Sequence, residues 1–227
     1  FLLFSGFLGW SFSIEPLQGH SYFLRNATPV WNKQRLTELT TGIASGVESV
    51  LPLVIILLFL GQEEAVGTVK AMTAVLSGVT IYMIGKRVQH NHHTHLFSLW
   101  MIFNFVGTLI FAMRYSPGSA LTLFVLGGLV GSLRWSSLVA VMYEIIDLET
   151  GRDGSHRFLY ILDRELFLNL GRILGLVLLI FLYHYRPEDA IRYGLLIVIG
   201  IQVPTLFLLS HMTKQLHHSR EDISTSR

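Results

Sequence analysis

The fold of this chain is decided by residues 38–60, which read ELTTGIASGVESVLPLVIILLFL. At about 1.5 Å per residue, a helix of this length crosses a hydrocarbon layer about 30 Å thick. Its second half is continuously apolar, and Glu48 is the one ionisable side chain after the initial Glu38. The stretch therefore predicts a transmembrane helix that carries a single acid in its interior.

Five further stretches have similar length and apolarity, so the sequence predicts six transmembrane helices. They occupy about residues 38–60, 66–84, 96–113, 120–145, 159–183 and 190–210. In hydrocarbon, every backbone N–H and C=O must find its partner within the protein, which continuous helices achieve. The predicted fold is an all-α multi-pass membrane protein whose six-helix bundle spans residues 38–210.

The composition excludes the main soluble classes of protein. Of the 227 residues, 51% are hydrophobic and 14% are charged, against about 25% charged in a typical soluble domain, and the mean hydropathy is +0.52. The formal net charge of +2 and the lack of cysteine argue against a nucleic-acid partner, a disulfide scaffold and thiol chemistry. Because the sequence has no His-Glu-x-x-His pair, Gly-x-Ser-x-Gly elbow or phosphate loop, we expect no enzyme, cofactor or metal site.

Both ends of the chain fall outside the predicted bundle. Residues 1–14 are apolar but would extend only about 20 Å as a helix, so we interpret them as the end of a transmembrane helix that begins before Phe1. Residues 15–37 are predicted to be a loop, and residues 211–227 a tail. The chain is therefore expected to be a piece of a longer protein.

The distribution of Lys and Arg predicts the orientation, because positively charged loops remain in the cytoplasm. Of the 17 Lys and Arg residues, 11 fall on the side of the bundle that holds loop 15–37 and the tail, 4 fall on the opposite side, and 2 lie within helices. We therefore expect loop 15–37 and the C-terminus to be cytoplasmic, in a cell membrane.

Six helices that follow a cytoplasmic loop can also be divided as three plus three. Gly85-Lys86-Arg87 follows the second helix, although no Asp follows Gly85, and residues 164–172 read RELFLNLGR. With this topology and these motifs, the chain resembles the C-terminal six-helix half of a major facilitator superfamily transporter, and residues 164–172 are similar to stretches of bacterial members. The resemblance implies a 3+3 bundle, a missing N-terminal six-helix half as partner, and a bacterial inner membrane.

Three charges inside the predicted helices stand out, since an ionisable group in hydrocarbon is costly unless it pairs or faces water. Glu48, Arg134 and Arg172 all lie at about 10 Å depth from the cytoplasmic side. Thr41, Ser45 and Glu48 share one helix face at three- and four-residue spacing, and Ser137 follows Arg134 by one turn. These residues predict a polar cluster that faces a cavity or an ion pair that fastens helices together.

The resemblance implies particular roles for these residues. In that family the first and fourth helices of this half line the central cavity, so Glu48, Arg134, Ser45 and Ser137 would form the substrate or proton pathway. The inner gate would then be a charge network at the cytoplasmic rim, composed of Arg172, Glu144, Arg164 and Glu165, with Asp163 beside them. The expected function is part of a secondary transporter that moves a small solute by alternating access, with protons as a candidate coupling ion.

Several alternatives stay open at this stage. The charges fit proton-coupled import, export of an organic cation or passage of an anion, and a non-transporting six-helix scaffold or partner subunit is the competing class. Glycines repeat at four-residue spacing in three pairs, Gly42 with Gly46, Gly127 with Gly131 and Gly171 with Gly175, which is typical of close helix packing. The loop with His90, His92, His93 and His95 is interpreted as a solvated loop, with metal binding as its alternative.

Overall fold

The computed structural model describes residue 24 and residues 27–61, 63–85, 93–150 and 157–225, and these contain helices without any strand. There are six helices in this part of the chain, which we number in chain order. They are α1 (Pro29–Leu60), α2 (Glu63–Gly85), α3 (His93–Arg114), α4 (Pro117–Thr150), α5 (Arg157–Tyr185) and α6 (Pro187–Thr225). Each is long and apolar enough to cross a membrane, which confirms the all-helical class and the six predicted helices.

Local sequence signals explain where these helices begin and end. Thr28 is the N-cap of α1, and its side chain accepts a hydrogen bond from the Trp31 backbone N–H while Pro29 occupies the first helical position. The helix ends at Gly61, whose φ of 65° lies in the left-handed region that favours glycine. Proline also starts α4 and α6, because its missing N–H has no partner to lose there.

The two largest differences between predicted and observed helix boundaries are at the start of α1 and at the end of α6. Helix α1 begins at Pro29 and not at residue 38, so residues 29–37 of the predicted loop 15–37 are helical. Helix α6 continues to Thr225 through most of the predicted tail 211–227. Hydropathy marks only the edge of the apolar run. The helices extend beyond it because residues such as Trp31 and Met212 pack inside the bundle, where both are fully buried. The predicted helix end at residues 1–14 lies outside the described residues.

The bundle has two ends, which we call basal and distal. The basal end holds the start of α1 and the end of α6, where Lys33 Nζ lies 3.3 Å from Gln215 Oε1. The distal end holds the turns after α1, α3 and α5. The most extensive helix pairs are α1 with α5 and α3 with α4, followed by α1 with α6, α2 with α4 and α3 with α6. Helix α2 is the least buried of the six, and its main neighbour is α4.

The close approach of α1 and α5 explains two of the three glycine pairs. A Cβ atom added to Gly42 would lie 2.9 Å from the Cα of Gly171, and one added to Gly46 or Gly175 would overlap the backbone of the facing helix. Only glycine leaves room for backbones at this separation. The third pair behaves differently, since nothing lies within 4 Å of a Cβ placed on Gly131.

The outer surface of the bundle is apolar. Phe207, Ile180 and Val75 are 69%, 68% and 66% exposed, and many other large hydrophobic side chains share this surface. A soluble protein rarely exposes apolar patches of this extent. The surface is therefore compatible with a multi-pass membrane protein.

Candidate functional site

The centre of the bundle contains an ion pair between two of the long apolar helices. Glu48 lies on α1 and Arg134 near the middle of α4, and Nη1 of Arg134 lies 2.6 Å from Oε2 of Glu48. The second terminal nitrogen of Arg134 donates to the Thr41 carbonyl at 3.2 Å and to Ser45 Oγ at 3.3 Å. Helix α1 therefore supplies a carboxylate, a carbonyl and a hydroxyl from one face to a single guanidinium.

Aromatic rings complete the surroundings of this guanidinium. Its carbon lies 4.9 Å from the centre of the Trp100 ring on α3 and 5.4 Å from the Trp135 ring. Such contacts stabilise a cation through the electron-rich ring face, more strongly where water is excluded. Because the Arg134 side chain is only 3% exposed, it has no access to bulk water and depends on these partners.

The two members of the pair differ in their exposure. The Glu48 side chain is 34% exposed, and it borders a partly open cavity of about 380 Å³. The arginine is therefore fixed within the protein, while the carboxylate lies between that arginine and the cavity. A proton or a solute in the cavity would reach Glu48 before it reached Arg134.

Five helices line this cavity. Its polar side chains besides Glu48 are Lys70, Thr73 and Ser77 from α2 and Asn104 and Thr108 from α3. The rest of its wall is largely apolar and comes mainly from α4 and α6. Pro52 of α1 also borders the cavity, one turn after Glu48. A mostly apolar concavity with a few polar groups is typical of a small-molecule site.

The four predicted pathway residues have different positions relative to the cavity. Glu48 borders it, whereas Ser45, Arg134 and Ser137 are not among the described residues that line it. Ser45 accepts a hydrogen bond from Arg134, and Ser137 is fully buried and donates to the Leu133 carbonyl of its own helix.

Comparison with family models, curated proteins and solved structures gave no match for this chain.

Within the described residues, the two arginines of the predicted gate have different hydrogen-bond partners. Arg164 bonds Glu165 at 2.6 Å and Glu38 of α1 at 3.0 Å. Arg172 instead bonds Asn169 of its own helix, and its backbone lies against Gly46. Glu144 is half-buried on α4. The charged residues were grouped by depth, but the direction in which each side chain leaves its helix separates them.

A stronger charge cluster joins α1 to α5 at the basal end. Arg35 contacts both oxygens of Asp163 at 2.7 Å, and the Trp31 indole N–H donates to the same carboxylate at 2.7 Å. Asp163 is 6% exposed and Glu38 is 3% exposed, so both carboxylates are removed from water and depend on their arginines. This cluster and the glycine contacts fasten the same pair of helices.

Sequence reasoning missed three residues in these clusters. The hydropathy pattern places Arg35 in the loop and makes Glu38 only the start of the first helix, because both precede the continuously apolar run. Lys70 was counted with the charges of the distal side, although it falls within the predicted second helix. A lysine inside an apolar stretch was the signal that could have identified the cavity.

Three aromatic side chains pack against one another at the distal end. Phe59, Phe111 and Tyr115 contact one another edge to face or tilted, with ring centres 5.0–5.8 Å apart. Burial and the nearby Glu188 carboxylate raise the pKa of Tyr115 above its usual value, so the phenol is neutral at physiological pH. The described part of this end therefore combines three packed aromatic rings with the charged side chains of Glu188 and Arg192.

The histidine-rich loop lies mostly outside the described residues, as do His90 and His92. His93 begins α3 and is 7% exposed, whereas His95 is exposed. Within the described ranges no three His, Asp or Glu side chains come together as a metal site requires. The candidate functional site is therefore the Glu48–Arg134 pair with its cavity.

Proposed function

We propose that this chain is a six-helix unit of a secondary transporter, which moves a small solute across the membrane by alternating access. The observation that supports this most directly is the Glu48–Arg134 pair. Charges within membrane helices are costly, and those that persist are commonly part of ion or substrate pathways. Here the acid is exposed to a cavity while the base is buried behind it, which is the arrangement a titratable pathway residue requires.

The helix pairing supports a 3+3 bundle. Exchanging α1, α2 and α3 with α4, α5 and α6 converts the α1–α5 pair into the α4–α2 pair and the α3–α4 pair into the α6–α1 pair, while α3–α6 is unchanged. All five major pairs therefore map onto one another. Close backbone approach recurs in the equivalent pair, since a Cβ on Gly128 of α4 would lie 3.0 Å from Thr73 Cα of α2. Internal repeats of this kind are common in transporters.

The ion pair also supplies a mechanism for coupling. While Glu48 is ionised, it holds the guanidinium of Arg134 and so links α1 to α4. A proton on Glu48 removes the charge–charge attraction, and the arginine then retains the Thr41 carbonyl and Ser45 hydroxyl, both on α1. Protonation from the cavity thus changes the attraction between α1 and α4, the equivalent helices of the two halves. A counterpart six-helix unit would move against this one.

The second candidate is a non-transporting scaffold or partner subunit, which the fastening between α1 and α5 favours. Glycine contacts and the Arg35–Asp163 pair would make that interface rigid in either case. The two candidates differ in one consequence. A transporter must open the cavity to each side of the membrane in turn, whereas a scaffold has no reason to do so.

Cysteine accessibility tests this difference without knowledge of the solute. The chain has no natural cysteine, so Asn104→Cys places a single thiol in the cavity. In inside-out and right-side-out vesicles of cells that express the protein, a membrane-impermeant thiol reagent should label it from both sides. Ile180→Cys on the lipid-facing surface is the control and should not react. Labelling of Asn104→Cys from one side only, under every imposed pH gradient, would favour the scaffold.

Orientation is tested in the same vesicles. We propose that the basal end faces the cytoplasm of a bacterial inner membrane. Lys214→Cys at the basal end should then react from the cytoplasmic face and Ser116→Cys at the distal end from the opposite face. Labelling of both from one face would contradict the topology.

A further inference from the structure

The cavity contains a lysine that the ion pair does not use. Lys70 lies within Val66–Met83, the apolar span of α2, and it borders the same cavity as Glu48. In the described part of the chain, no side chain forms an ion pair or hydrogen bond with its ammonium group. An ammonium at this position is costly unless it faces water or a counter-ion. The Lys70 side chain is exposed, and the cavity that it borders is one place where it meets water or a counter-ion.

The charges around the cavity leave one positive charge without compensation. Glu48 and Arg134 are 2.6 Å apart and neutralise each other. Lys70 then contributes a net charge of +1 to the wall. In surroundings of low dielectric constant, a ligand with one negative charge balances this wall, whereas a cation or a dianion leaves an excess.

The remaining polar groups direct the negative charge of such a ligand to Lys70. The hydroxyls of Thr73, Ser77 and Thr108 each donate to a backbone carbonyl of the bundle, at 2.7–2.9 Å. Their hydrogens are therefore engaged, and these hydroxyls have only acceptor lone pairs left for a ligand. The ammonium group of Lys70 is the charged donor of the cavity, so a carboxylate binds there most favourably.

The apolar part of the wall defines the rest of the ligand. Leu123 and Phe124 of α4 and Leu195, Val198 and Ile199 of α6 border the cavity. Its volume of about 380 Å³ lies within the range of about 300–1,000 Å³ that small-molecule sites occupy. An apolar body therefore has both the room and the contacts it needs.

We propose that this cavity binds a small organic monoanion, with its carboxylate on Lys70 and its apolar body against α4 and α6. This inference rests on the proposed function and names the substrate class of the same site. Glu48 lies at the edge of the cavity that the anion occupies, so binding and protonation of Glu48 act on one site.

The test is equilibrium binding to the purified 227-residue chain in detergent micelles, measured by calorimetry. Butyrate, hexanoate and benzoate are the probes, and benzamide is the neutral counterpart of benzoate. We expect at least one anion to bind and benzamide to bind much more weakly. Lys70→Gln should weaken anion binding by about 10- to 100-fold, because the carboxylate loses its hydrogen bond to a charged donor. Lys70→Arg should retain most of the affinity.

Lys214→Gln is the matched control, because Lys214 is exposed like Lys70 but lies at the basal end and does not border the cavity. Its affinity for the anions should equal that of the wild type. The proposal is overturned if none of the three anions binds, if benzamide binds as well as benzoate, or if Lys70→Gln and Lys214→Gln bind the anions equally. A melting temperature for each variant shows that a loss of binding is not a loss of fold.

This experiment can fail separately from the proposed function. Binding at equilibrium requires no translocation, whereas the labelling of Asn104→Cys requires no anion. Binding that depends on Lys70 together with one-sided labelling would support the anion site and contradict transport. Two-sided labelling without anion binding would support transport and contradict the anion site.

Discussion

The Glu48–Arg134 pair makes a prediction about stability that depends on its unequal exposure. Glu48→Gln keeps the shape of the side chain but removes its charge, so the buried Arg134 loses its counter-ion. Arg134→Met replaces the cation with an apolar chain of similar length, and Glu48 can then be hydrated from the cavity. We therefore expect the glutamine variant to be the less stable of the two, and the double variant to be more stable than the glutamine variant.

The structure bounds the size of these effects. Removing one member of a fully buried pair costs about 3–5 kcal/mol, and a hydrogen bond to a charged group contributes about 1.5–3 kcal/mol. Glu48 is 34% exposed, and its amide still accepts a hydrogen bond, so Glu48→Gln should lower the free energy of unfolding by about 2–3 kcal/mol. The double variant should lie within about 1 kcal/mol of the wild type, because it leaves no buried charge without a partner.

The assay is reversible unfolding in mixed micelles, in which the mole fraction of a denaturing detergent is raised and tryptophan fluorescence is followed. Glu64→Gln, which removes an exposed acid near the start of α2, is the control and should change the free energy of unfolding by less than about 0.5 kcal/mol. Additive losses in the double variant, or a Glu48→Gln variant as stable as the wild type, would show that the two side chains are not coupled.

Three further predictions concern the same bundle. Gly171→Ala should destabilise the protein by about 1–3 kcal/mol, because its Cβ would lie 2.9 Å from Gly42 Cα. Gly131→Ala has open space around its Cβ, so it should be neutral or stabilising by up to about 1 kcal/mol. Equal effects of the two variants in micelle unfolding would contradict this prediction. Asp163→Asn breaks the buried contacts with Arg35 and should lower the free energy of unfolding by about 2–4 kcal/mol. Asp189→Asn at the exposed pair with Arg186 is the control and should lower it by less than about 1 kcal/mol. If transport is coupled to protons at position 48, the glutamine variant should lose uphill flux of the bound anion in proteoliposomes while keeping exchange, and retained uphill flux would contradict the coupling role.

The six helices were predictable because apolar length is a direct requirement of the bilayer. The helix ends were not, since polar residues such as Gln34 continue α1 by packing inside the bundle, where Gln34 is 1% exposed and donates to Glu38 at 2.8 Å. Hydropathy describes contact with lipid and carries no information about polar contacts between helices. The same limit placed Arg35 in a loop.

The candidate site was predictable in depth but not in direction. Glu48 and Arg134 were expected at one level, and they meet because both face the interior. Arg172 lies at a similar predicted depth, but it leaves α5 on another side because the face of α5 around Gly171 and Gly175 is pressed against α1. Which side of a helix faces which neighbour depends on the whole set of packed helices. The hydropathy and spacing of residues along single helices do not give that arrangement.

The pairing of α1 with α5 has a consequence for biosynthesis. A ribosome adds about 5–20 residues per second, and roughly 100 residues separate the end of α1 from the start of its principal partner. For about 5–20 seconds, the newly made α1 therefore has no α5 to cover Arg35, Glu38 and its glycine face. During this interval α1 is accessible to chaperones and quality-control proteases. Substitutions at the glycine contacts weaken its pairing with α5 once that helix is made, so they should lower the amount of protein that cells accumulate.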